Sequence, residues 1–284
     1  MTAGSAADNA EVLGIIAGAG RFPFLVAEGA RRQGIRVVIV GLGGLAQPEL
    51  RQVADRYYTS GLLRLGRWIR ILRRERASRA ILAGSVRKSD MYGRFRLLRY
   101  LPDLASIRVW YFRARDKRND SILRATADFM AEKGITLTDC VRYCPEHMAP
   151  AGVLTVAQPS ATLQRDIAFG WPIAKEIGRL DIGQAIAVKE QEVIAVEAIE
   201  GTDRLILRVG ELCPSGGWTL IKVAKPNQDM RFDVPTVGPN TIRNLAAHGA
   251  RALVVEAGKT LIVDRSETIE LADRHGLCII GHEP

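Results

Sequence analysis

Two short apolar runs, Val12–Gly18 and Ile35–Val40, flank a segment of helical periodicity, Phe24–Gln33. Nothing else in the chain restricts its fold as much. Runs this short, bounded by glycine, read as strands buried on both faces. The segment between them opens after Gly18-Ala19-Gly20-Arg21-Phe22-Pro23 and stops at Gly34, which suits the residue just past a helix C-terminus. Strand, helix and strand in that order make a βαβ unit. A third apolar run, Arg79–Gly84, a helix over Ser121–Glu132 and a short strand over Ile135–Thr138 continue the pattern. The first half therefore reads as an open, mostly parallel, Rossmann-like sheet.

The pattern changes at Cys144–Gly152, where two prolines and a glycine separate patterned segments. Beyond it, Ser160 is placed to cap a helix running to about Leu180, interrupted near Trp171-Pro172. Strand signals follow at 185–189, 193–197, 219–224, 253–257, 260–263 and 277–280, with helices at 203–211, 241–247 and 266–275. A chain of 284 residues holds two such cores. The expectation is an α/β protein: a flexible tail over 1–11, an N-terminal Rossmann-like open-sheet domain over 12–147, and a mixed-sheet α/β (α+β) domain over 148–284. The tail has neither the basic nor the apolar region of a signal peptide. No run is long enough to span a membrane. Cys140, Cys144, Cys213 and Cys278 form no CxxC pair and no zinc pattern, which points to reduced packing cysteines in a cytoplasmic protein.

Charge is distributed unevenly. The net charge is +9, but residues 64–118 alone carry +13, so the remainder is acidic. Arg64, Arg67, Arg70 and Arg74 follow helical steps and form a cationic stripe. Further on, Tyr92, Phe95, Tyr100 and Trp110 alternate with Arg94, Arg96, Arg99 and Arg108. This mixture suits an anionic lipid surface or an amphiphilic ligand, and it also suits a nucleic-acid face, although no recognised nucleic-acid module is present.

The turn after the first strand would present backbone N–H groups at a helix N-terminus, a setting that favours phosphate. It lacks the third glycine of the dinucleotide fingerprint, and no acidic residue ends the second strand, which disfavours hydride transfer. Gly84-Ser85-Val86-Arg87-Lys88 is a second glycine turn, with two cations. Carboxyl ends of neighbouring strands in such a sheet face one crevice, so Gly18, Gly20, Ser85, Arg87 and Lys88 are candidates to converge on a phosphate.

Carboxylates cluster in the second half, in Glu197–Asp203 and in Lys225–Pro235. Asp229 and Asp233 are four apart, with Lys225 and Arg231 interleaved. Hard oxygen ligands of this kind hold Mg²⁺ or Mn²⁺ beside phosphates, and the mixture fits phosphoryl transfer. Two readings follow. One is an enzyme acting on a phosphorylated, amphiphilic substrate with a divalent cation. The other is a basic nucleic-acid-binding protein whose C-terminal domain is not catalytic.

GAGRFP, AGSVRK, NDSILR, EAIEGTD and KPNQDMRFDVPTVGP, in this order and spacing, resemble the LpxI-type UDP-2,3-diacylglucosamine pyrophosphatases over nearly the whole chain. The resemblance implies hydrolysis of UDP-2,3-diacylglucosamine to UMP and 2,3-diacylglucosamine 1-phosphate (lipid X) in lipid A synthesis. It further implies a divalent metal, two α/β domains with the product between them, a homodimer, and an enzyme at the cytoplasmic side of the inner membrane rather than a nucleic-acid binder. On this reading Asp229 ligates metal or activates water and Asp233 assists. Glu200 or Asp203 completes the metal shell. Lys225 and Arg231 stabilise the pyrophosphate, Thr202 and Gln228 bind substrate, and Gly18, Gly20, Ser85, Arg87 and Lys88 contact phosphate or uridine.

Overall fold

The computed structural model describes residues 11–86, 101–116, 119–226, 229–232 and 234–283. The chain divides into two units: one is the chain up to Cys144 together with Asp229–Phe232, the other Pro145–Gln228 together with Asp233–Pro284. A linear division of the sequence does not register the return of Asp229–Phe232 to the N-terminal unit.

The N-terminal unit is built on five parallel strands: β1 (Val12–Ala17), β2 (Arg36–Leu42), β3 (Arg56–Ser60), β4 (Arg79–Ala83) and β5 (Thr136–Leu137), in the order β3-β2-β1-β4-β5. Its helices are α1 (Phe22–Arg32), α2 (Leu50–Val53), α3 (Leu65–Arg74), α4 (Leu104–Arg108) and α5 (Asn119–Ala131). The chain adds strands outward from β1 to β3, then returns to place β4 on the other side of β1. That reversal creates the switch point at which open α/β sheets bind ligands.

β3 escapes a reading by apolar pattern because its sequence, RYYTS, is polar. It is an edge strand, where polar side chains are tolerated, and it pairs with β2 from Val38↔Arg56 to Leu42↔Ser60. Glu75 secures it from outside, accepting from the Tyr58 hydroxyl and, at 2.6 Å, from Arg36 Nη2. These bonds, from Tyr58 first, hold the Glu75 carboxyl below its ordinary value despite partial burial. The arginine stripe falls on α3: Leu65, Trp68, Ile69, Ile71 and Leu72 are buried, while Arg67, Arg70, Arg73 and Arg74 are exposed. The core beneath gathers Ile16, Val38, Val40, Trp68, Leu72 and Met130.

The C-terminal unit has a six-stranded mixed sheet: β6 (Gly152–Val153), β7 (Ala185–Lys189), β8 (Glu192–Val196), β9 (Trp218–Lys222), β11 (Ala250–Glu256) and β13 (Cys278–His282), ordered β6-β13-β11-β9-β7-β8. The central trio β13, β11 and β9 is parallel, and the remaining pairings are antiparallel. A small parallel pair joins β10 (Thr236–Val237) to β12 (Leu261–Ile262). Its helices are α6 (Ala161–Arg179), α7 (Thr202–Leu212), α8 (Pro239–Ala247) and α9 (Arg265–Arg274). Side chains alternate across the sheet with the strand period of two. Ile186, Val188 and Ile221 pack under α6, whereas Ala185, Ala187 and Leu220 face α7, α8 and α9.

α6 corrects one expectation. The helix starts where foreseen, with the Ser160 Oγ accepting from Leu163 N at 3.2 Å, but it runs unbroken through Pro172. Proline removes one helical hydrogen bond and crowds the carbonyl four residues earlier. Here Ala168 and Pro172 are both exposed, so water reaches the freed carbonyl. Leu163, Ile167, Trp171 and Ala174 meanwhile anchor the opposite face in the core. Cys140, Cys144 and Cys278 are buried free thiols and Cys213 is half-buried. Among the described residues no helix is long and apolar enough to cross a membrane.

Candidate functional site

In the N-terminal unit the two glycine turns meet at the switch point between β1 and β4. Gly18 N donates to Ala83 O at 2.8 Å, and Ala19 and Ser85 exchange N–H···O bonds of 2.9 Å in both directions. The structure thus brings Gly18 and Ser85 together, as the sequence suggests, but it uses the N–H groups of Ala19 and Ser85 to close the turns onto each other. The glycines make this approach possible. A Cβ on Gly18 would lie 2.8 Å from Ser85 O, and one on Gly84, whose φ is +93°, would lie 2.7 Å from Ala19 O. Gly20, also at positive φ, carries the chain into α1. The N-terminus of α1 has no side-chain cap, but Pro23 has no N–H and the N–H groups of Phe24 and Leu25 donate to Arg21 O at 3.0 and 3.4 Å, so few first-turn donors are left for an anion. Arg87 and Lys88 lie outside the described residues.

Asp229–Phe232 forms the second part of this unit's polar surface. Asp229 accepts a fork from Arg231, Nε to Oδ1 at 2.9 Å and Nη2 to Oδ2 at 2.7 Å, and also accepts from Arg231 N at 3.1 Å. The short chain separation lets an Asx-type turn and a bidentate ion pair form on one carboxylate. The fork from Arg231 holds the Asp229 carboxyl below the ordinary carboxylate value against the opposing effect of burial, and Arg124 on α5 adds to it. Arg231 is stacked 4.8 Å from the Phe232 ring centre, and Phe232 packs on the core of the same unit. The Cys140 thiol, which burial pushes up and keeps protonated, donates to Met230 O at 3.3 Å. Asp229 is therefore a pre-oriented acceptor that is ionised at neutral pH. Asp233 and Gln228 lie outside the described residues.

In the C-terminal unit the polar residues gather where strands end. Thr202, the first residue of α7, donates to Glu197 Oε1 at 2.8 Å and accepts from Lys222 Nζ at 3.2 Å. Lys222, the last residue of β9, also donates to Thr236 O at 2.9 Å. Glu197 and Lys222 are 5% and 6% exposed, so this is an interior network rather than a surface pairing. On β11, the strand paired with β9, Glu256 is fully buried at the strand end. It accepts from Lys175 at 2.9 Å, Lys259 at 2.8 Å and Ala224 N at 2.9 Å. Burial raises its carboxyl, but the bonds from Lys259, Lys175 and Ala224 outweigh this and leave it below the ordinary value. Lys175 also donates to Ala224 O at 3.1 Å, so both backbone groups of Ala224 are held just before Lys225.

Pattern reading selects Thr202 but not Glu197, Lys222, Lys175 or Glu256, because each sits within or beside an apolar run and shows no partner in sequence. The other selected residues are placed as follows. Lys225 pairs with Asp181, Glu200 lies 3.0 Å from Arg208, and Asp203 accepts from Asn244 at 3.1 Å on the surface. Among the described residues, no three His, Cys, Asp or Glu side chains come together in a set that suits a metal ion. Asp229 already holds a guanidinium on both oxygens, and Glu200 and Asp203 are engaged in the other unit. The described donor set thus does not by itself fit Mg²⁺ or Mn²⁺.

Comparison with known proteins bears on both units. Residues 12–147 match the family model of the LpxI N-terminal domain, and residues 150–280 match that of the LpxI C-terminal domain. The UDP-2,3-diacylglucosamine pyrophosphatase LpxI of Caulobacter vibrioides is 34% identical over 281 residues, covering 96% of this chain and 98% of that relative.

Proposed function

The chain belongs to the LpxI family, and from that premise we propose that it hydrolyses the pyrophosphate of UDP-2,3-diacylglucosamine, releasing UMP and lipid X in lipid A biosynthesis. The observation that carries this reading is the match of residues 12–147 and 150–280 to the two LpxI domain models, which together cover most of the chain. The glycine turns at the β1/β4 switch point and the ionised Asp229 are the parts such a reaction needs.

Water attacks the sugar-side phosphorus, a new P–O bond forms, the bond to the UMP oxygen breaks with its electron pair leaving on UMP, and the water's protons pass to solvent. Asp229 remains ionised at neutral pH, so its part is to orient water by accepting its hydrogen bond; a carboxylate held this low is a poor proton acceptor. Arg231 has five N–H donors, of which the side-chain fork on Asp229 uses two. Its remaining donors, with Lys225, supply positive charge to the pyrophosphate. Gly18, Gly20 and Ser85 bind phosphate or uridine at the switch point; Arg87 and Lys88, and in the C-terminal unit Thr202 and Gln228, are further candidates for substrate contact.

Three further features belong to the proposal. A divalent cation, Mg²⁺ or Mn²⁺, would neutralise charge on the pyrophosphate; because Asp229 is already held by Arg231, it would need Asp233 and ligands beyond the described donor set, and no step above depends on it. The protein acts as a homodimer and meets the cytoplasmic face of the inner membrane, where a diacylated substrate resides. The test is hydrolysis in ¹⁸O-water with and without EDTA. The expected result is UMP and lipid X, with ¹⁸O in lipid X and loss of turnover in EDTA. Label in UMP would overturn the site of attack, undiminished turnover in EDTA would remove the metal, and no turnover with either cation would overturn the reading.

A further inference from the structure

The residues around α4 form a surface to which none of the roles above is assigned. Leu104 is 84% exposed and Phe112 is 81% exposed, with Leu101 and Tyr111 also more than half exposed. The chain continues from α4 into a π-helical turn, Val109–Arg113, whose Val109 is buried in the core and so fixes which side faces out. At helical spacing, positions 104, 108 and 112 fall on that side, and position 115 lies just past the end of the turn. Arg108 is exposed between Leu104 and Phe112 along it, and Arg115 is exposed next to its end.

The face is held rigidly. The Asp103 carboxylate caps α4, accepting from Ser106 N at 2.9 Å, and also accepts from Gly66 N at 2.8 Å at the start of α3. Ser106 Oγ donates to Leu63 O at 2.8 Å and accepts from Leu65 N at 3.1 Å. These bonds set α4 beside α3 and its exposed Arg67, Arg70, Arg73 and Arg74.

We propose that this face docks on an anionic lipid bilayer, with Leu104 and Phe112 entering the interfacial layer and Arg108, Arg115 and the α3 arginines meeting headgroup phosphates. Apolar side chains interspersed with arginine are what such an interface accepts. A second copy related by a two-fold axis would set the same cations against themselves. Nucleic acid would match the arginines and leave Leu104 and Phe112 in water. The inference rests on the reading above, in which the substrate is a diacylated lipid.

The test is cosedimentation of the full chain, without substrate, with vesicles of equal parts phosphatidylcholine and phosphatidylglycerol, and with phosphatidylcholine alone. The wild type is expected to pellet with the anionic vesicles only and to be released by salt. The double variant Leu104→Ser/Phe112→Ser should bind about tenfold more weakly or worse, while its turnover of detergent-dispersed substrate stays within about twofold of wild type, since both side chains are exposed. Equal vesicle binding by the two proteins would overturn the proposal. So would a variant that falls from dimer to monomer, or loses duplex DNA binding, with vesicle binding intact. A wild type that hydrolyses substrate but ignores vesicles sinks the docking face alone; one that binds vesicles without hydrolysis sinks the catalytic reading alone.

Discussion

The two units finish the ends of their central strands by different means. At the β1/β4 ends of the N-terminal unit the closure is main chain on main chain, with the Ala19–Ser85 bridge made possible by Gly18 and Gly84. At the β9 and β11 ends of the C-terminal unit the closure is made by buried charge, with Lys222 on Thr202 and Thr236, and Glu256 under two lysines and Ala224. The first device depends on the absence of side chains and is insensitive to pH. The second depends on ionised side chains and fails when one partner is removed. One unit is therefore vulnerable to added atoms and the other to lost charge.

The largest effect should come from Glu256→Ala. Removing it leaves Ala224 N without its acceptor and leaves Lys175 and Lys259, 25% and 51% exposed, to turn to water, at about 2–3 kcal/mol. The melting temperature should fall on the order of 10 °C, as read by calorimetry, and a shift of a degree or two would show that Ala224 N finds another acceptor. Next is Gly84→Ala. The positive φ and the contact with Ala19 O together should cost about 2 kcal/mol. A neutral result in urea unfolding would mean that the turns separate without penalty. Thr202→Val should cost about 1–2 kcal/mol by leaving Glu197 and Lys222 short of a partner, and Thr202→Ser should restore most of it. The smallest effect is a slope against pH. The Glu256 carboxyl lies below its ordinary value, so its contribution is complete above the unfolded value of roughly 4.3. It is lost as pH falls through the folded value, at no more than about 1.4 kcal/mol per pH unit. Denaturant midpoints measured from neutral to acid pH should show this loss in wild type and a shallower one in Glu256→Gln; parallel curves would remove Glu256 from the account.

The same contrast explains what the sequence made legible. Glycine after an apolar run reports a turn directly, so the β1–α1–β2 unit and its meeting with β4 could be read from Gly18, Gly20, Gly34 and Gly84 alone. Periodicity placed most of the C-terminal strands and helices within a few residues of their positions. β3 was not legible, because Arg56–Ser60 is an edge strand selected by pairing and by the Glu75 clamp rather than by hydrophobicity. Lys222 and Glu256 were not legible, because a charge at the end of an apolar strand acquires its partners from elements distant in sequence, Lys175 lying 81 residues from Glu256. The fork on Asp229 is local, two residues apart, and KPNQDMRFDVP drew attention to both residues without showing that they bind each other.

Hydrolysis of UDP-2,3-diacylglucosamine by the wild type, Asp229→Ala and Asp229→Asn, each shown to be folded by its unfolding curve, probes Asp229 and the reaction together. The account predicts UMP and lipid X from the wild type and a loss of about 10²-fold or more in kcat for both variants, of the order seen when an electrostatic or water-orienting group is removed. It also predicts a wild-type rate without an acid limb near pH 6, because Asp229 stays ionised well below that. Turnover by folded Asp229→Ala at the wild-type rate, or none by the wild type itself, would contradict it.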